Sequence, residues 1–180
     1  MNTFFTADTH LGHRNIITYC NRPFQTVEEM NAKLISNWNE RVKKEDVVYH
    51  LGDFCFKKSS EAPEGNPFDY YRNQLNGEII LIQGNHDRSN KCKSLLQSAI
   101  IEHGGRKLFL IHDPNKYPWQ RYDIVLCGHV HEKWKFKRVI KNNKVITFCN
   151  VGVDVWNFRP VSINEILGER ERWKKLLSTP

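Results

Sequence analysis

The sequence predicts an α/β fold, in which strands and helices alternate along the chain. Short apolar runs rich in valine, isoleucine and phenylalanine recur along the 180 residues, and each ends in polar residues, which is typical of buried strands. Segments with helical spacing separate several of these runs, and that alternation favours helices layered on a sheet. The length and the 39% content of hydrophobic residues suit one domain, so we expect a single domain over residues 1–180.

The predicted strands determine where the other features of the chain lie. Six apolar runs have the length and composition of strands: Thr3–Ala7, Val47–Leu51, Ile79–Ile82, Lys107–Ile111, Ile124–Cys127 and Val145–Cys149. The segment Lys133–Asn150 is predicted to form two strands joined at Asn142–Asn143. A hairpin of this kind is antiparallel, so we expect the sheet system to be mixed.

The predicted helices are marked by caps and by apolar periodicity. Thr26 and Glu29 form a capping box, and apolar residues then recur on one stripe at helical spacing as far as Val42. Polar residues, prolines and a glycine over Ser59–Pro67 predict a loop. Three further helices are predicted: Phe68–Leu75, Lys91–Ser98 and a charged C-terminal helix that starts at a Ser162–Glu165 capping box.

Charge and cysteine usage restrict the functional classes. A net charge of +7 favours an anionic partner, and a phosphorylated substrate, RNA or DNA would each fit, although a merely soluble basic protein would carry the same charge. The chain has no apolar stretch of about 20 residues that could span a membrane, and its start lacks the pattern of a secretory signal. The five cysteines are widely spread without a CxxC pair, so we expect reduced, buried thiols in a cytoplasmic protein.

Metal-capable side chains follow almost every predicted strand. Ligands of open α/β sheets bind beyond the carboxyl ends of the strands, so these groups can converge on one site. A single histidine at a strand end is more often a hydrogen-bonded structural residue, but five such groups in one order are hard to explain as loop chemistry. The groups are Asp8-Thr9-His10, Gly52-Asp53, Gly84-Asn85-His86-Asp87, His112 and Gly128-His129-Val130-His131.

With these groups in this order, the chain resembles the calcineurin-like metallophosphoesterase superfamily, whose pattern is D-x-H, GD, GNH[DE], a strand-terminal H and GHxH. The segment NVGVDVWNFRP at 150–160 resembles the closing motif of a small bacterial and phage-type subgroup of these phosphoesterases. The resemblance implies a four-layer αββα sandwich of two mixed β-sheets flanked by helices. It also implies a metal site at the carboxyl ends of the strands, without a separate cap domain.

The resemblance implies a metal centre with two divalent ions. One ion would be bound by Asp8, His10 and His131, the other by Asn85, His112 and His129, and Asp53 would bridge the two. A bridging carboxylate suits the spacing of roughly 3.5–4 Å in two-metal hydrolytic sites. Imidazole and oxygen ligands without a thiolate suit manganese, iron, nickel or zinc, and we expect manganese first.

The implied activity is hydrolysis of a phosphodiester or phosphomonoester by a metal-bridging hydroxide, with diesters favoured. His86 is expected to protonate the leaving group or stabilise the transition state, and Asp87 to orient its imidazole. The expected substrate is a small phosphorylated or nucleotide-like ester. A nuclease with the same centre and a non-catalytic binding scaffold of the same fold are the alternatives, although nucleic acid is not favoured because 180 residues leave no room for a separate DNA-binding domain.

Several residues outside the ligand pattern are candidates for substrate contact. His13 and Arg14 follow the first ligand pair closely and could contact a phosphate or lie on the surface. His50, which precedes Leu51-Gly52-Asp53, is expected to be a core residue or to support the ligands, and His103 is expected to be structural.

The closing motif itself has two interpretations. Trp156, Asn157 and Arg159 could form a wall of the site, with Arg159 binding a phosphate bidentately. Alternatively, the segment only packs against the C-terminal helix.

The run Lys133–Arg138 alternates basic and apolar residues. Read as a strand, it places three lysines on one face, and lysines interleaved with aromatic residues could bind single-stranded nucleic acid. A solvated edge strand protected by its lysines against aggregation is the favoured explanation.

Overall fold

A computed structural model gives the fold and describes residues 1–62, 66–94, 96–141 and 143–177. Within these residues the α-helices are α1 (Arg14–Tyr19), α2 (Val27–Arg41), α3 (Pro67–Arg72) and α4 (Ile163–Leu177). The strands in the same ranges are β1 (Thr3–Thr6), β2 (Val47–His50), β3 (Glu78–Leu81), β4 (Ser98–His103), β5 (Arg106–Ile111), β6 (Ile124–Cys127), β7 (Phe136–Lys141), β8 (Lys144–Asn150) and β9 (Val161–Ser162).

The strands form two mixed sheets. The first has the order β3-β2-β1-β9, in which β1, β2 and β3 are parallel and β9 is antiparallel to β1. The second has the order β4-β5-β6-β8-β7, in which β5, β6 and β8 are parallel and the two edge strands are antiparallel to their neighbours. The predicted α/β class, with two mixed sheets flanked by helices, is therefore confirmed.

The two sheets pack face to face because successive side chains of a strand point to opposite sides. In β1, Phe5 joins the core between the sheets, whereas Phe4 packs on the outer side against the apolar stripe of α2. The outer face of the second sheet is covered by aromatic residues of the segment after β5, among them Tyr117, and this segment includes the 3-10 helix Pro114–Lys116.

The predicted helix caps are present. The Thr26 side chain accepts a hydrogen bond from the backbone N–H of Glu29 (3.1 Å), and α2 begins at the next residue after Thr26. Glu165 accepts from the Ser162 N–H (2.9 Å) and its own N–H donates to the Ser162 hydroxyl (3.3 Å), so the second capping box begins α4.

The helix predicted over Lys91–Ser98 is wrong for the residues that the structure describes there. Leu96 instead forms a parallel bridge with Ile82, and β4 begins at Ser98. The Ser94 hydroxyl donates to the carbonyl of Leu81 (2.6 Å). Pairing with the first sheet therefore overrides the local helical pattern, as tertiary contacts often do. Leu95 lies outside the described residues, as does Asn142 of the predicted hairpin turn, but β7 and β8 pair antiparallel as expected.

The five cysteines are buried, as predicted, and the structure has them as free thiols. The sulfur atoms of Cys55 and Cys92 lie 3.6 Å apart. Among the described residues, no helix is both long enough and apolar enough to cross a membrane.

A buried histidine at the end of β2 makes the stability of the fold pH-dependent. His50 is fully buried and its Nε2 lies 2.9 Å from the Thr9 hydroxyl. Burial lowers its pKa from 6.5 to about 4, although the Asp87 charge opposes the shift. Between pH 6.5 and 4 the unfolded chain therefore takes up a proton that the folded chain excludes.

His50 should contribute its full stability above pH 6.5 and lose it as the pH falls towards 4, by up to about 1.4 kcal/mol per pH unit. In the metal-free protein, we expect His50→Gln to reduce the pH dependence of the free energy of unfolding in this interval. Urea titrations of both proteins at several pH values would measure it. Parallel stability curves for the two proteins would contradict the assignment.

Candidate metal centre

The seven predicted ligands lie in the turns at the carboxyl ends of the parallel strands. Asp8 and His10 follow β1, Asp53 follows β2, Asn85 follows β3, His112 follows β5, and His129 and His131 follow β6. The turns after β1 and β2 are joined in backbone register, since the N–H of His10 donates to the carbonyl of Asp53 (3.0 Å). The turns of the two sheets meet where Asp8 accepts from the N–H of His129 (2.9 Å).

Five of the seven ligands have left-handed backbone conformations, with φ between 46° and 72°. These are Asp8, His10, Asp53, His129 and His131. Such conformations are unfavourable for residues other than glycine, at roughly 1–3 kcal/mol each, and they persist where the surrounding structure requires them. These five residues follow β1, β2 and β6, so the strained backbone lies in the turns that carry the predicted ligands.

Two glycines allow the turns after β2 and β3 to touch. A Cβ atom on Gly84 would lie 2.2 Å from Oδ1 of Asp53, and one on Gly52 would lie 2.5 Å from the backbone nitrogen of Gly84. A side chain at Gly84 would therefore displace the carboxylate of Asp53, and a side chain at Gly52 would push apart the two turns.

Asp53 lies between the two predicted sets of ligands. Its Oδ2 is 3.5 Å from Nε2 of His10 and 3.5 Å from Nε2 of His112, while its Oδ1 accepts a hydrogen bond from the backbone N–H of His86 (2.9 Å). The Nε2 atom of His10 is buried and has no hydrogen-bond partner among the described residues. Since buried polar atoms are nearly always paired, this nitrogen fits a metal ligand.

The first set of ligands is compact. Ligand atoms of Asp8, His10 and His131 all lie within 4.8 Å of one another, and the rings of His10 and His131 stack at 5.3 Å. Burial raises the pKa of Asp8 to about 6, although His112 and His131 counteract this. A divalent ion would favour the ionised carboxylate in such a buried position.

The second set converges on the amide oxygen of Asn85, which lies 2.9 Å from Nε2 of His112 and 2.9 Å from Nδ1 of His129. Nδ1 of His112 lies 2.7 Å from the carbonyl oxygen of Leu51, and we assign the proton to this nitrogen. The lone pair of Nε2 then faces the oxygens of Asp53 and Asn85. The electron pairs of His112, Asn85 and Asp53 are thus directed at one another, an arrangement that a bound cation would stabilise. The carbonyl of Leu51 sets the tautomer of His112.

Two residues of the site were not predicted from the sequence, namely Asp154 and Arg22. Nδ1 of His131 lies 3.0 Å from Oδ2 of Asp154. Arg22 is buried and holds Asp154 through two hydrogen bonds, of 2.7 Å and 3.2 Å, while another of its N–H groups donates to the carbonyl of Asp8 (2.7 Å). Asp154 lies within the closing motif at 150–160, whereas Arg22 belongs to no recognised motif.

This carboxylate orients the imidazole of His131 so that its other nitrogen faces the first set of ligands. Burial opposes protonation of His131, but its hydrogen bond to Asp154 and its interaction with Cys20 outweigh burial and raise the pKa of His131 to about 10. Burial raises the pKa of Asp154, but the interactions with His131 and Arg22 outweigh burial and bring this pKa below its ordinary value. Metal binding at His131 should therefore release a proton.

We expect Asp154→Asn to weaken one ion selectively, by about 10–100-fold in affinity, because loss of such a supporting contact misorients its histidine. The second ion, which has no ligand in contact with Asp154, should stay bound. Calorimetric metal titration with proton-release measurements would resolve the two events. Equal weakening of both ions would contradict this role, and Asp123→Asn, a carboxylate outside the centre, provides the matched control.

Asp87 has a different role from the predicted one. Its Oδ2 accepts from the backbone N–H groups of Asp53 (2.9 Å) and Gly84 (2.7 Å), and its Oδ1 accepts from Phe54 (2.9 Å). It is fully buried, and no hydrogen bond links it to the His86 ring within the described chain. Both oxygens are thus used to tie the turn after β2 to the turn after β3, so Asp87 positions the ligand Asp53 rather than the imidazole of His86.

The predicted catalytic residue His86 lies at the solvent side of the centre. Its side chain is exposed, its backbone N–H binds Asp53, and its ring lies 5.8 Å from the ring of His10 in an edge-on arrangement. The imidazole is therefore held next to the ligands without being tied to any of them, where it can reach a group on a bound substrate.

His13 and Arg14 lie beside the centre, in a cleft of about 600 Å³. The His13 ring stacks on Phe56 at 4.6 Å and lies 5.4 Å from the His10 ring. Burial lowers the pKa of His13, and the nearby His86 lowers it further. This position is compatible with the interpretation in which His13 and Arg14 contact the substrate.

Trp156, Asn157 and Arg159 do not line the centre. The interpretation in which they form a wall of the site, with Arg159 binding a phosphate, is therefore wrong. Trp156 is buried in the core between the sheets, and its Nε1 donates to the carbonyl of Asn150 (2.7 Å). Asn157 is exposed and its carbonyl accepts from Asn37 on α2. The guanidinium of Arg159 lies 3.4 Å from Glu165 at the start of α4. Trp156 and Arg159 thus lie with residues of the C-terminal helix, whereas Asn157 contacts α2.

The basic run also differs in part from its prediction. Lys133 belongs to the 3-10 helix His131–Lys133, and the edge strand β7 begins only at Phe136. Lys135 lies over the ring of Trp156 at 4.3 Å and Lys137 over Trp134 at 5.9 Å. These lysines are engaged with aromatic rings of their own chain at the edge of the second sheet, which agrees with the edge-strand interpretation.

The chain is similar in sequence to a known family and to two known proteins. The signature of the calcineurin-like phosphoesterase superfamily domain matches residues 1–157. The chain is 38% identical over 172 residues to the uncharacterized protein MJ1445 of Methanocaldococcus jannaschii, covering 95% of this chain and 92% of the relative. It is 29% identical to the gene 66 protein of Mycobacterium phage L5, with 92% of each chain covered.

A solved structure has the same fold. The crystal structure of AQ665, a protein of unknown function from Aquifex aeolicus, superimposes with a TM-score of 0.65 and 28% sequence identity. The match covers 91% of this chain and 96% of that one.

Proposed function

We propose, since this chain belongs to the calcineurin-like phosphoesterase superfamily, that it hydrolyses a phosphoric ester at a centre of two divalent metal ions. The observation that carries the proposal is the position of Asp53, whose Oδ2 lies 3.5 Å from an imidazole nitrogen of each ligand set. A carboxylate placed in this way can bridge two ions. His10 would belong to one ion and His112 to the other.

When bound, two such ions supply an activated water and neutralise charge on the phosphoryl oxygens. The residues of the chain do the remaining work. Asp154 and Asp87 hold the ligands in place before substrate arrives, so little reorganisation is needed during the reaction. The water would give up a proton to solvent as its oxygen bonds to phosphorus and the bond to the leaving oxygen breaks, and the imidazole of His86 would donate a proton to that oxygen.

Phosphodiesters are the preferred class in this proposal. A diester carries a substituent on each side of the reacting phosphate, and the centre has a cleft on each side. The first, of about 600 Å³, adjoins His13. The second, of about 530 Å³, adjoins Asn85 and His112. Manganese is the first metal to test, because the ligands combine imidazole nitrogens with carboxylate and amide oxygens.

The proposal is tested with p-nitrophenyl phosphate and bis(p-nitrophenyl) phosphate. The protein is first stripped with a chelator and then reloaded with manganese, nickel, zinc or iron. We expect no turnover in the stripped protein, turnover after reloading, and a higher kcat/KM for the diester. Failure to turn over either ester with any of these metals, across several pH values, would favour a binding scaffold with the same fold.

A further inference from the structure

The second cleft leads away from the metal centre along the second sheet. It is formed by the turn after β3, the start of β4 and the loop after β5, and Asn85 and His112 stand at its inner end. None of its lining residues belongs to the first cleft. A substrate bound at the two ions therefore has room to extend by a further unit on this side.

Two cations line this cleft, namely Arg88 and Lys116. Both side chains are exposed, and neither forms an ion pair or a hydrogen bond within the part of the chain that the structure describes. Arg88 lies two residues after His86, and Lys116 ends the 3-10 helix that follows His112. The two positive charges thus come from the two turns that also carry ligands of the second ion.

The cleft has one carboxylate, Asp113, and it is already engaged. Its Oδ1 accepts a hydrogen bond from the backbone N–H of Asn115 (2.9 Å), where it caps the 3-10 helix. Among the described residues no ion pair joins Asp113 to Arg88 or Lys116, and the two cations outnumber the one carboxylate that lines the cleft. Guanidinium and ammonium groups in such a position are suited to bind phosphate, which arginine can do bidentately.

The scissile phosphate itself does not need these cations, because the metal ions neutralise its charge. A second anionic group on the same substrate would account for them. Resting on the proposed phosphodiesterase function, we propose that the second cleft binds a second phosphate, carried by the unit next to the scissile ester. The preferred substrate is then a diester with a neighbouring phosphate, a chemistry shared by a short single-stranded nucleic acid and by a small bisphosphorylated nucleotide.

A matched pair of substrates isolates the effect of the second phosphate. Thymidine 5′-(p-nitrophenyl phosphate) can be compared with its 3′-phosphorylated form, since both release the same nitrophenolate. We expect the metal-loaded protein to have a kcat/KM roughly tenfold higher for the 3′-phosphorylated ester, the value of one charged hydrogen-bonded contact. The preference should appear mainly in KM and should decrease as salt increases, because the contact is electrostatic.

Variants locate the preference in the second cleft. Arg88→Gln combined with Lys116→Gln should bring the ratio of the two kcat/KM values close to one. The control, Arg106→Gln combined with Lys33→Gln, also removes one arginine and one lysine, both exposed and outside the two clefts, and should keep the wild-type ratio. A wild-type ratio near one, or an unchanged ratio in the cleft variant, would overturn the inference.

A binding measurement separates this inference from the proposed function. If neither ester is hydrolysed, the phosphodiesterase proposal fails, but calorimetry can still compare thymidine 3′,5′-bisphosphate with thymidine 5′-phosphate. Tighter binding of the bisphosphate that is lost in the cleft variant supports the second site, and equal binding overturns it. Competition by a thymidine tetranucleotide at lower concentration than the bisphosphate would identify a nucleic-acid strand as the source, and equal competition a small nucleotide.

Discussion

Asp53→Asn is expected to weaken the binding of both metal ions together and to reduce turnover by about 10³-fold, since a bridging negative charge supplies several kcal/mol to the centre. Asparagine has nearly the same shape, and its amide oxygen can still accept the hydrogen bond that Oδ1 receives from the His86 N–H (2.9 Å). The fold should therefore be preserved. Metal analysis after gel filtration, together with ester turnover, measures both effects.

The comparison with Asp154→Asn makes this test specific. Asp154 contacts His131 alone among the predicted ligands, so its variant should lose one ion, whereas the Asp53 variant should lose two. Two full equivalents of metal in Asp53→Asn would contradict the bridging role. Circular dichroism of both variants shows whether the metal was lost from a folded protein.

His86→Ala is expected to keep both ions and to slow turnover by about 10²–10⁴-fold, the usual contribution of a general acid. The side chain of His86 is exposed, so its removal should leave the packing intact. Because the proton is needed by a poor leaving group, the loss should be large for a dinucleoside phosphate, which expels an alkoxide. It should be much smaller for bis(p-nitrophenyl) phosphate, which expels a stabilised anion.

The leaving-group comparison also separates the two roles considered for His86. An equal loss for both esters would indicate that the imidazole stabilises the transition state without transferring a proton. Wild-type activity towards both esters would contradict any catalytic role. His103→Ala is the matched control, because it removes another exposed histidine at the end of β4 and should leave turnover unchanged.

Prediction from the sequence was most successful where local patterns repeat. Strand length and composition located β1, β2, β3, β5, β6 and β8, and capping boxes located the starts of α2 and α4. The prediction was wrong at Lys91–Ser98, since the bridge between Leu96 and Ile82 and the strand that follows are long-range pairings. Helical periodicity reports only local preference, and pairing with a distant strand outweighs it.

The same difference between local patterns and long-range contacts holds for the site. The convergence of residues such as Asp53 and His129 was predictable because each stands directly after a strand, beside a glycine, in a recognisable order. The contact between Arg22 and Asp154 was not predictable, because 132 residues separate the two and neither stands in a metal-ligand pattern. For Asp87, the motif suggested a partner in the adjacent histidine, but its carboxylate points to the backbone of the turns after β2 and β3.

By itself, the sequence determined which side chains can bind metal and that they follow successive strands, since hydrophobic runs and the polar residues that end them are local information. Only the tertiary structure decided which ligand faces which, that Asp53 lies between two imidazoles, that Arg22 and Asp154 support His131, and that Trp156 belongs to the core. These outcomes depend on how two sheets pack face to face and bring distant turns together. A linear pattern states the spacing of residues along the chain, whereas coordination depends on their distances in space.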